Sequence, residues 1–203
     1  MSRIEVAFTV STGWEQYILI QSGELGLDVH LMERDIVEVD LFPLADCADL
    51  HSVDLSGNKL RAINLEPLSN SPIESLTLYE NKLREIDLSP LASCQQLKDL
   101  WIFDNMLEHI DLAPLRNCRK LTWVSFAGNN LTEIDVSALG ECPQLRYLAL
   151  ERNQLARLDI TRLFNCPELV EFHIDPGVRI IATSMPHEVD PSHPLVPLVG
   201  LDR

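Results

Sequence analysis

An asparagine recurs at nearly constant spacing through the middle of the chain. The five positions Asn58, Asn81, Asn105, Asn129 and Asn153 are separated by 23, 24, 24 and 24 residues. Each follows a segment of the form L-x-x-L-x-L-x-x, or a near variant of it. Self-similarity at a period of roughly 20 to 50 residues is typical of a chain that winds into stacked coils. The repeat therefore excludes most other folds, because each unit can bury its apolar face only against its neighbours.

One complete unit, from Leu97 to Lys120, shows how each coil is built. Its sequence is LKDLWIFDNMLEHIDLAPLRNCRK, in which aliphatic residues recur with period two on both sides of Asn105, in L-W-I and in I-D-L. Because side chains alternate between the two faces of a strand, both segments are predicted to be strands with their leucines and isoleucines inside the coil. The residues expected to form that core are Leu97, Leu100, Ile102, Leu107, Ile110 and Leu112.

Polar residues at fixed positions of the unit are predicted to satisfy the backbone where it turns. The repeated asparagine is expected to bond backbone groups that are otherwise unpaired inside the coil. Pro90 and Pro114 suit the first position of a short helical turn. A second polar column precedes that turn and is predicted to cap it, with a chain of bound divalent cations as the alternative. This column is Asp40, Asn64, Asp87, Asp111, Asp135 and Asp159.

A cysteine recurs at one position of five units: Cys47, Cys94, Cys118, Cys142 and Cys166. An odd count at repeat spacing is not the pattern of a small disulfide-stapled domain. A stacked column of single thiols also does not converge on one metal ion, because Zn–S bonds are only about 2.3 Å long. We therefore predict five reduced, buried thiols that fill space, and we predict neither a metal nor another cofactor.

The unit resembles the leucine-rich-repeat family over residues 26–175. Its I-D-L-x-P-L segment is similar to the short repeats of bacterial internalins and of the SD22-like class, but the unit is longer and carries Cys where Leu is usual. The resemblance implies a right-handed solenoid of the α/β class, shaped as a horseshoe. It implies a parallel β-sheet on the concave face and short strands with 3-10 or short helical turns on the convex face. It also implies a function in binding another macromolecule rather than in catalysis.

The two ends of the chain depart from the repeat, as capping units do. Residues 1–25 are predicted to form an N-terminal cap with two strands, Ile4 to Val10 and Tyr17 to Ile20. Residues 26–175 hold the repeats, with imperfect units at both ends, and contribute seven concave strands. Residues 176–203 are predicted to be a proline-rich, extended C-terminal cap or tail, whose apolar stretch from Pro194 to Leu201 packs on the last coil.

The charge balance restricts the kind of partner. The sequence has 31 Asp and Glu against 16 Lys and Arg, for a net charge of -15. An excess of anionic side chains disfavours nucleic acid and anionic membranes and favours a basic partner. No apolar run reaches the roughly 18 residues of a spanning helix, and the N-terminus lacks the apolar stretch of a signal peptide, so a soluble cytoplasmic protein is expected. The sequence contains no recognised catalytic motif, and we predict no enzyme activity.

The candidate site lies on the predicted concave face, where the residues between the inward-facing leucines form columns across adjacent strands about 4.8 Å apart. Aromatic residues cluster there among acids, and Arg152 is the only Lys or Arg in these columns. Aromatic residues within a charged surround are typical of binding hot spots. The predicted partner-binding residues are Tyr79, Asp99, Trp101, Phe103, Asp104, Trp123, Tyr147, Glu151 and His173.

Several alternatives stay open at this point. The rings could pack on one another only to stabilise the sheet, or a terminal segment could cover Phe103 and Trp123. The leading hypothesis is a protein–protein interaction module for a protein or peptide with a basic, partly apolar surface. The alternatives are a self-associating scaffold, such as a homodimer, and a regulatory subunit of an enzyme such as a phosphatase, as the similarity to SD22-like proteins implies.

Overall fold

The computed structural model describes residues 3–21, 26–184 and 190–199. The chain alternates short strands with 3-10 helices. The strands are β1 Arg3–Val10, β2 Glu15–Gln21, β3 Leu27–His30, β4 Ile36–Val39, β5 Leu50–Asp54, β6 Ser75–Thr77, β7 Asp99–Trp101, β8 Trp123–Ser125, β9 Tyr147–Ala149, β10 Arg157–Asp159, β11 Glu171–His173 and β12 Arg179–Ile181. The 3-10 helices are Phe42–Leu44, Glu66–Leu68, Ser89–Ser93, Ala113–Asn117, Ser137–Glu141 and Thr161–Asn165, and one α-helix, α1, spans Val196–Val199.

Seven strands form one parallel sheet in the order β3-β5-β6-β7-β8-β9-β11. Equivalent residues of successive units pair directly: Ser75 with Asp99, Asp99 with Trp123, and Trp123 with Tyr147. The strands are parallel because every coil returns to the same side of the molecule before its next strand begins. The predicted solenoid and its seven concave strands are confirmed.

The core runs through the inside of the stacked coils. In the unit from Leu97, the side chains of Leu97, Leu100, Ile102 and Leu107 are fully buried. Ile110 is only partly buried against that core, although the alternation predicted it to lie inside. Its equivalents Ile63, Ile86 and Ile134 behave in the same way. This isoleucine position therefore lies closer to the surface than Leu107 and Leu112 of the same segment, which are buried.

The convex side is built from 3-10 helices whose first turns are capped by the predicted polar column. Asp87 Oδ1 accepts a hydrogen bond from the Ser89 N–H at 2.8 Å, and Asp111 Oδ1 accepts one from the Ala113 N–H at 2.8 Å. The same bond recurs at Asp40, Asn64, Asp135 and Asp159. The capping role is confirmed, and it explains why acids stack there despite their like charge.

Strands on the convex side are confined to the two ends of the described solenoid. There β4 pairs with β1, and β10 pairs with β12. The prediction of a convex strand in every coil is wrong for the central units. On this side their neighbouring coils share isolated backbone bonds, such as the one from the Asn130 N–H to the Leu107 carbonyl at 2.8 Å. The N–H of the following residue, Leu131, donates to Asn153 Oδ1 at 3.1 Å, so the backbone bond at Asn130 is not continued into a convex ladder.

Both ends of the solenoid are covered. At the N-terminal end β1 and β2 form an antiparallel hairpin that buries Val6 and Phe8. At the C-terminal end Leu195 is fully buried, and the ring of His193 lies 5.6 Å from that of Phe164.

The expectation that the C-terminal tail is extended is wrong for two of its parts. Residues 179–181 form β12 in a parallel pair with β10, and Val196–Val199 form the short helix α1. The apolar stretch does pack on the core through Leu195, Val196, Leu198 and Val199, whereas Leu201 lies outside the described residues. The division at residues 25 and 175 stays a prediction. None of the described helices is long and apolar enough to cross a membrane.

Candidate functional site

The turn after each concave strand is held by the asparagine ladder. The Nδ2 of Asn105 donates to the carbonyls of Leu78 and Ile102 at 3.0 and 3.3 Å, and its Oδ1 accepts from the Leu83 N–H at 3.1 Å. One side chain thus joins its own coil to the preceding one, as the sequence predicted. After the last asparagine of the ladder, the carboxylate of Asp175 accepts from the N–H groups of Arg152 and Asn153.

Just before each asparagine the backbone adopts a left-handed conformation. The φ angles are 53° at Glu80, 52° at Asp104, 63° at Gly128 and 58° at Arg152. This turn is common to the coils, so these side chains form one column along the rim of the concave sheet. Side chains in such a column can meet across neighbouring coils.

The predicted aromatic residues form one continuous cluster on the concave sheet, which we call the concave aromatic cluster: Tyr79, Trp101, Phe103, Trp123 and Tyr147. The rings of Tyr79 and Phe103 stack in parallel with centroids 4.4 Å apart, and Phe103 meets the edge of Trp101 at 6.3 Å. Tyr147 lies 5.8 Å from Trp101 and 5.6 Å from Trp123. These separations lie in the favourable range for aromatic pairs.

Small residues in the unit from Leu121 allow these rings to meet. Trp101 is on β7 and Tyr147 on β9, so their contact crosses β8 at Ser125, which pairs with both neighbouring strands. Ser125, Ala127 and Ala149 are 3%, 3% and 0% exposed although they face the concave side. Not every position of the concave columns is therefore open surface, because the contact between the aromatic rings crosses the small side chains between them.

The concave aromatic cluster still presents surface to solvent. Trp123 is 37% exposed, and the other four members are partly buried. The rings therefore do pack on one another, as one alternative held, and they also leave an aromatic surface on the sheet. Contiguous apolar surface is often used in binding.

Acidic side chains flank the cluster at its C-terminal side. Burial raises the pKa of Tyr147, and the nearby carboxylates of Glu151 and Glu171 raise it further. The Oε2 atom of Glu151 is buried and has no hydrogen-bond partner among the described residues. Such an unpaired acceptor costs about 1–3 kcal/mol. His173 is exposed, with Nε2 3.4 Å from Glu171 Oε2 and its ring 5.3 Å from that of Tyr147.

Asp99 lies on the other side of the cluster, between Ser75 and Trp123 in the first concave column. Burial raises its pKa, and Glu74 adds to this effect, while Lys98 opposes it. Of the carboxylates in the predicted site, Asp99 and Glu151 have no Lys or Arg within ion-pair distance in the described structure, and neither does the neighbouring Glu171.

Asp104 differs from these acids because it is neutralised within the protein. Its Oδ1 lies 2.9 Å from Nη1 of Arg152, two repeats further along the rim column. The repeat spacing places both residues in the same column, but it does not predict this pair. The glycine between them, Gly128, was the available indication that two long side chains could meet across one coil.

The cysteines form a ladder of thiols rather than a reactive site. The Sγ atoms of Cys118 and Cys142 each donate to the carbonyl of a leucine in the preceding repeat at 3.4 Å. Burial raises the pKa of Cys94 to about 11 and those of Cys118, Cys142 and Cys166 to about 12. All five thiols are free, but Cys47 is only partly buried, so the prediction of five buried thiols is wrong at that position. It lies in the first repeat, before the thiol ladder begins at Cys94.

No group of three His, Cys, Asp or Glu residues in the described parts of the chain is arranged to hold a metal ion.

Comparison with known proteins places this geometry in a family. The sequence model described as "Leucine rich repeat" matches residues 95–155. The chain contains leucine-rich repeats. No match was found among curated protein sequences. Leucine-rich-repeat proteins are typically non-catalytic modules for protein–protein interaction.

Solved structures agree with this assignment. Internalin C2 from Listeria monocytogenes superposes with a TM-score of 0.62 at 26% identity, over 84% of this chain and 66% of that one. The Arabidopsis receptor kinase HAESA, solved with the peptide hormone IDA and the co-receptor SERK1, gives 0.66 at 26% identity over 78% of this chain and 27% of its own. The functional domain of InlJ from Listeria monocytogenes, which includes a cysteine ladder, gives 0.59 at 23% identity over 79% and 31%. This leucine-rich-repeat protein has internalin-like repeats and spans less than two thirds of the length of each of these chains.

Proposed function

We propose that this leucine-rich-repeat protein binds a protein or peptide that presents a basic, partly apolar surface to the concave sheet. The observation that carries the proposal is the concave aromatic cluster, five contacting rings on the sheet of which Trp123 is exposed and the others are partly exposed. Rigid aromatic anchors lose little conformational entropy when they bind, which is why they dominate interface energetics. HAESA, which has a similar fold, was solved with a peptide hormone and a co-receptor, and this supports a partner of the same general class.

The charge around the cluster defines the chemistry of the partner. The protein has a net charge of -15, and Asp99, Glu151 and Glu171 have no described Lys or Arg partner near the rings. Complementary charge raises the association rate of a basic partner, and repulsion between like charges disfavours binding of an acidic one. We therefore favour a basic ligand over an acidic one. The cytoplasmic location stays part of this proposal, and it is supported by the free thiols.

The test compares three baits for capture from a lysate: the parent protein, a Trp101→Ala/Trp123→Ala variant and a Phe42→Ala control. Phe42 is an aromatic residue that is 63% exposed and lies in a convex 3-10 helix. A partner captured by the parent and control baits but not by the concave variant is then purified and its affinity measured. Loss of each anchor should weaken binding by roughly 30-fold or more. Equal affinity of all three baits for every captured protein would contradict the proposal.

Self-association through the same rings is the competing function, and the exposed ring of Trp123 favours it. Light scattering at micromolar concentration separates the two. A self-associating scaffold would be a dimer that becomes a monomer in the Trp101→Ala/Trp123→Ala variant and stays a dimer in Phe42→Ala. A monomer at all concentrations leaves binding of a different protein as the function of the concave face.

A further inference from the structure

Tyr147 lies at the centre of the aromatic and acidic groups of the concave sheet. Its ring contacts Trp101, Trp123 and His173, with centroid separations of 5.8, 5.6 and 5.3 Å. The faces of tyrosine and tryptophan rings carry negative electrostatic potential and attract cations within about 6 Å. Tyr147 is only partly buried, so this group of rings is accessible from the concave side.

Two carboxylates add negative charge at the same point. Glu151 and Glu171 both lie near Tyr147 and disfavour the ionised form of its hydroxyl, raising its pKa. Neither carboxylate has a Lys or Arg ion pair among the described residues. The nearest arginine in the columns, Arg152, is held by Asp104 at 2.9 Å. The negative charge at Tyr147 is therefore not neutralised by a permanent cation of the protein.

The buried oxygen of Glu151 is a second and independent observation. Its Oε2 atom has no donor in the described structure, whereas buried carboxylate oxygens in proteins normally accept hydrogen bonds. A negative group with little solvent and no donor favours a positive charge brought close to it, because electrostatic interactions strengthen in a water-poor environment. The rings and the carboxylate thus favour the same kind of ligand.

We propose that the concave sheet contains a seat for one cationic side chain, an arginine or lysine of the partner, at Tyr147 between Trp123 and the carboxylates of Glu151 and Glu171. This inference rests on the proposed function and specifies the partner's anchor. The flat guanidinium of arginine fits best, because it stacks on a ring face while its N–H groups reach a carboxylate. A neutral apolar anchor would use the rings but leave the two carboxylates without a counter-charge.

The test uses N-acetylarginine amide and N-acetylcitrulline amide, which differ in charge and little in shape. Nuclear magnetic resonance follows the indole N–H signals of the three tryptophans during titration with each compound. The signals of Trp101 and Trp123 should shift with the arginine compound, and roughly tenfold less citrulline compound should be bound at equal concentration. Trp14, which is 71% exposed and precedes β2 in the N-terminal hairpin, is the internal control and should not shift.

A Glu151→Gln/Glu171→Gln variant tests the carboxylates without changing side-chain size. It should bind the arginine compound at least fivefold more weakly than the parent, whereas Glu108→Gln/Glu133→Gln, which removes the same charge from exposed residues outside the concave columns, should not. Equal shifts with both compounds, or no shift at either concave tryptophan, would overturn the cation seat. A partner whose binding requires Trp101 but not Glu151 or Glu171 would also overturn it while leaving the proposed function intact. The proposed function itself would fail on a different result, namely a partner that binds the Trp101→Ala variant as tightly as the parent protein.

Discussion

Asp104 and Arg152 form an ion pair across the coil between them, with Oδ1 and Nη1 2.9 Å apart. Gly128 occupies the position directly under this pair, and a Cβ atom built there would collide with Asp104 Oδ1 and lie 3.2 Å from the guanidinium carbon of Arg152. The contact between Trp101 and Tyr147 crosses the same unit above Ser125. Ser125, Ala127 and Gly128 therefore form a trough of small residues that two side-chain contacts bridge.

Replacing Gly128 tests how much this trough matters. We expect Gly128→Ala to destabilise the protein by about 1–2 kcal/mol from the left-handed backbone alone, since its φ is 63°. Displacement of Asp104 from Arg152 adds to this loss. The control is Gly57→Ala, which has a φ of 64° and meets the flexible Glu33 Cγ at 3.0 Å. Urea unfolding of both variants measures the difference, and equal losses would show that the ion pair contributes nothing.

The asparagine ladder should contribute through hydrogen bonds rather than apolar area. Asn105→Ala leaves the carbonyls of Leu78 and Ile102 and the N–H of Leu83 without their side-chain partner. We expect a loss of about 1–3 kcal/mol, shared with the neighbouring coils because repeat stability is a sum of nearest-neighbour terms. Asn130→Ala is the control, since Asn130 accepts only one exposed bond from Gln154 at 3.4 Å. If the Asn105→Ala variant has the same melting temperature as the parent protein, this account of Asn105 is wrong.

The thiols should differ sharply in reactivity. Cys47 is partly buried, whereas Cys94, Cys118, Cys142 and Cys166 are fully buried. Because the thiolate is the reactive form and burial suppresses it, iodoacetamide at pH 8 should modify one residue of the folded protein and five after denaturation. Mass spectrometry of the digested protein identifies the modified position. Modification of Cys118 at the rate of Cys47 would show that the coils open far more often than this packing implies.

The buried thiols should also make the protein lose stability in alkali. Their pKa values in the folded state are about 11 to 12, against 9.0 for a free thiol. Above pH 9 the unfolded chain therefore binds fewer protons than the folded one, so this contribution is complete below pH 9 and declines as the pH rises towards 12. Each thiol contributes a slope of about 1.4 kcal/mol per pH unit in that window. Cys118→Ala should flatten the measured slope relative to Cys47→Ala, and identical slopes would contradict the burial effect.

Much of this architecture follows from local patterns in the sequence. The alternation of Leu97, Leu100 and Ile102 places Asp99 and Trp101 on the concave face, and the constant repeat length brings Asp99, Trp123 and Tyr147 into one column. Asx capping by Asp87 and Asp111 was predictable for the same reason, because each bond reaches only two residues along the chain. These features depend on strand periodicity and on short-range hydrogen bonds, and the same local pattern recurs in every unit of the repeat.

The features that sequence reasoning missed depend on side chains from non-adjacent units. The contacts of Trp101 with Tyr147 and of Asp104 with Arg152 each span two coils, so the periodicity that sets neighbouring strands gives no information about them. Burial of Ser125 and Ala149 results from the size of the rings above them and not from their own pattern. The C-terminal strand β12 was missed for a related reason, since it pairs with β10 without repeating its sequence, whereas the two strands of the N-terminal cap were predicted and are present as β1 and β2.

The aromatic and acidic residues of the binding face should affect different rates: the rings should set how slowly the partner dissociates, and the acids how fast it associates. Trp101→Ala should weaken partner binding by roughly 30-fold or more at every ionic strength, mainly through faster dissociation, because apolar contacts are little affected by salt. Asp104→Lys should instead slow association, most strongly at low salt, because charges at the rim act over a Debye length of about 10 Å at 0.1 M.

The ion pair allows a stricter test of this rim charge. The exchange Asp104→Arg/Arg152→Asp keeps both the net charge and the possibility of a bridge across Gly128. If long-range charge governs encounter, the exchanged variant should associate at nearly the parent rate while Asp104→Lys remains slow, and stopped-flow measurements at two salt concentrations decide the matter. Slow association of the exchanged variant at high salt as well would mean that Asp104 contacts the partner directly. In that case the rim belongs to the interface and does more than attract the ligand.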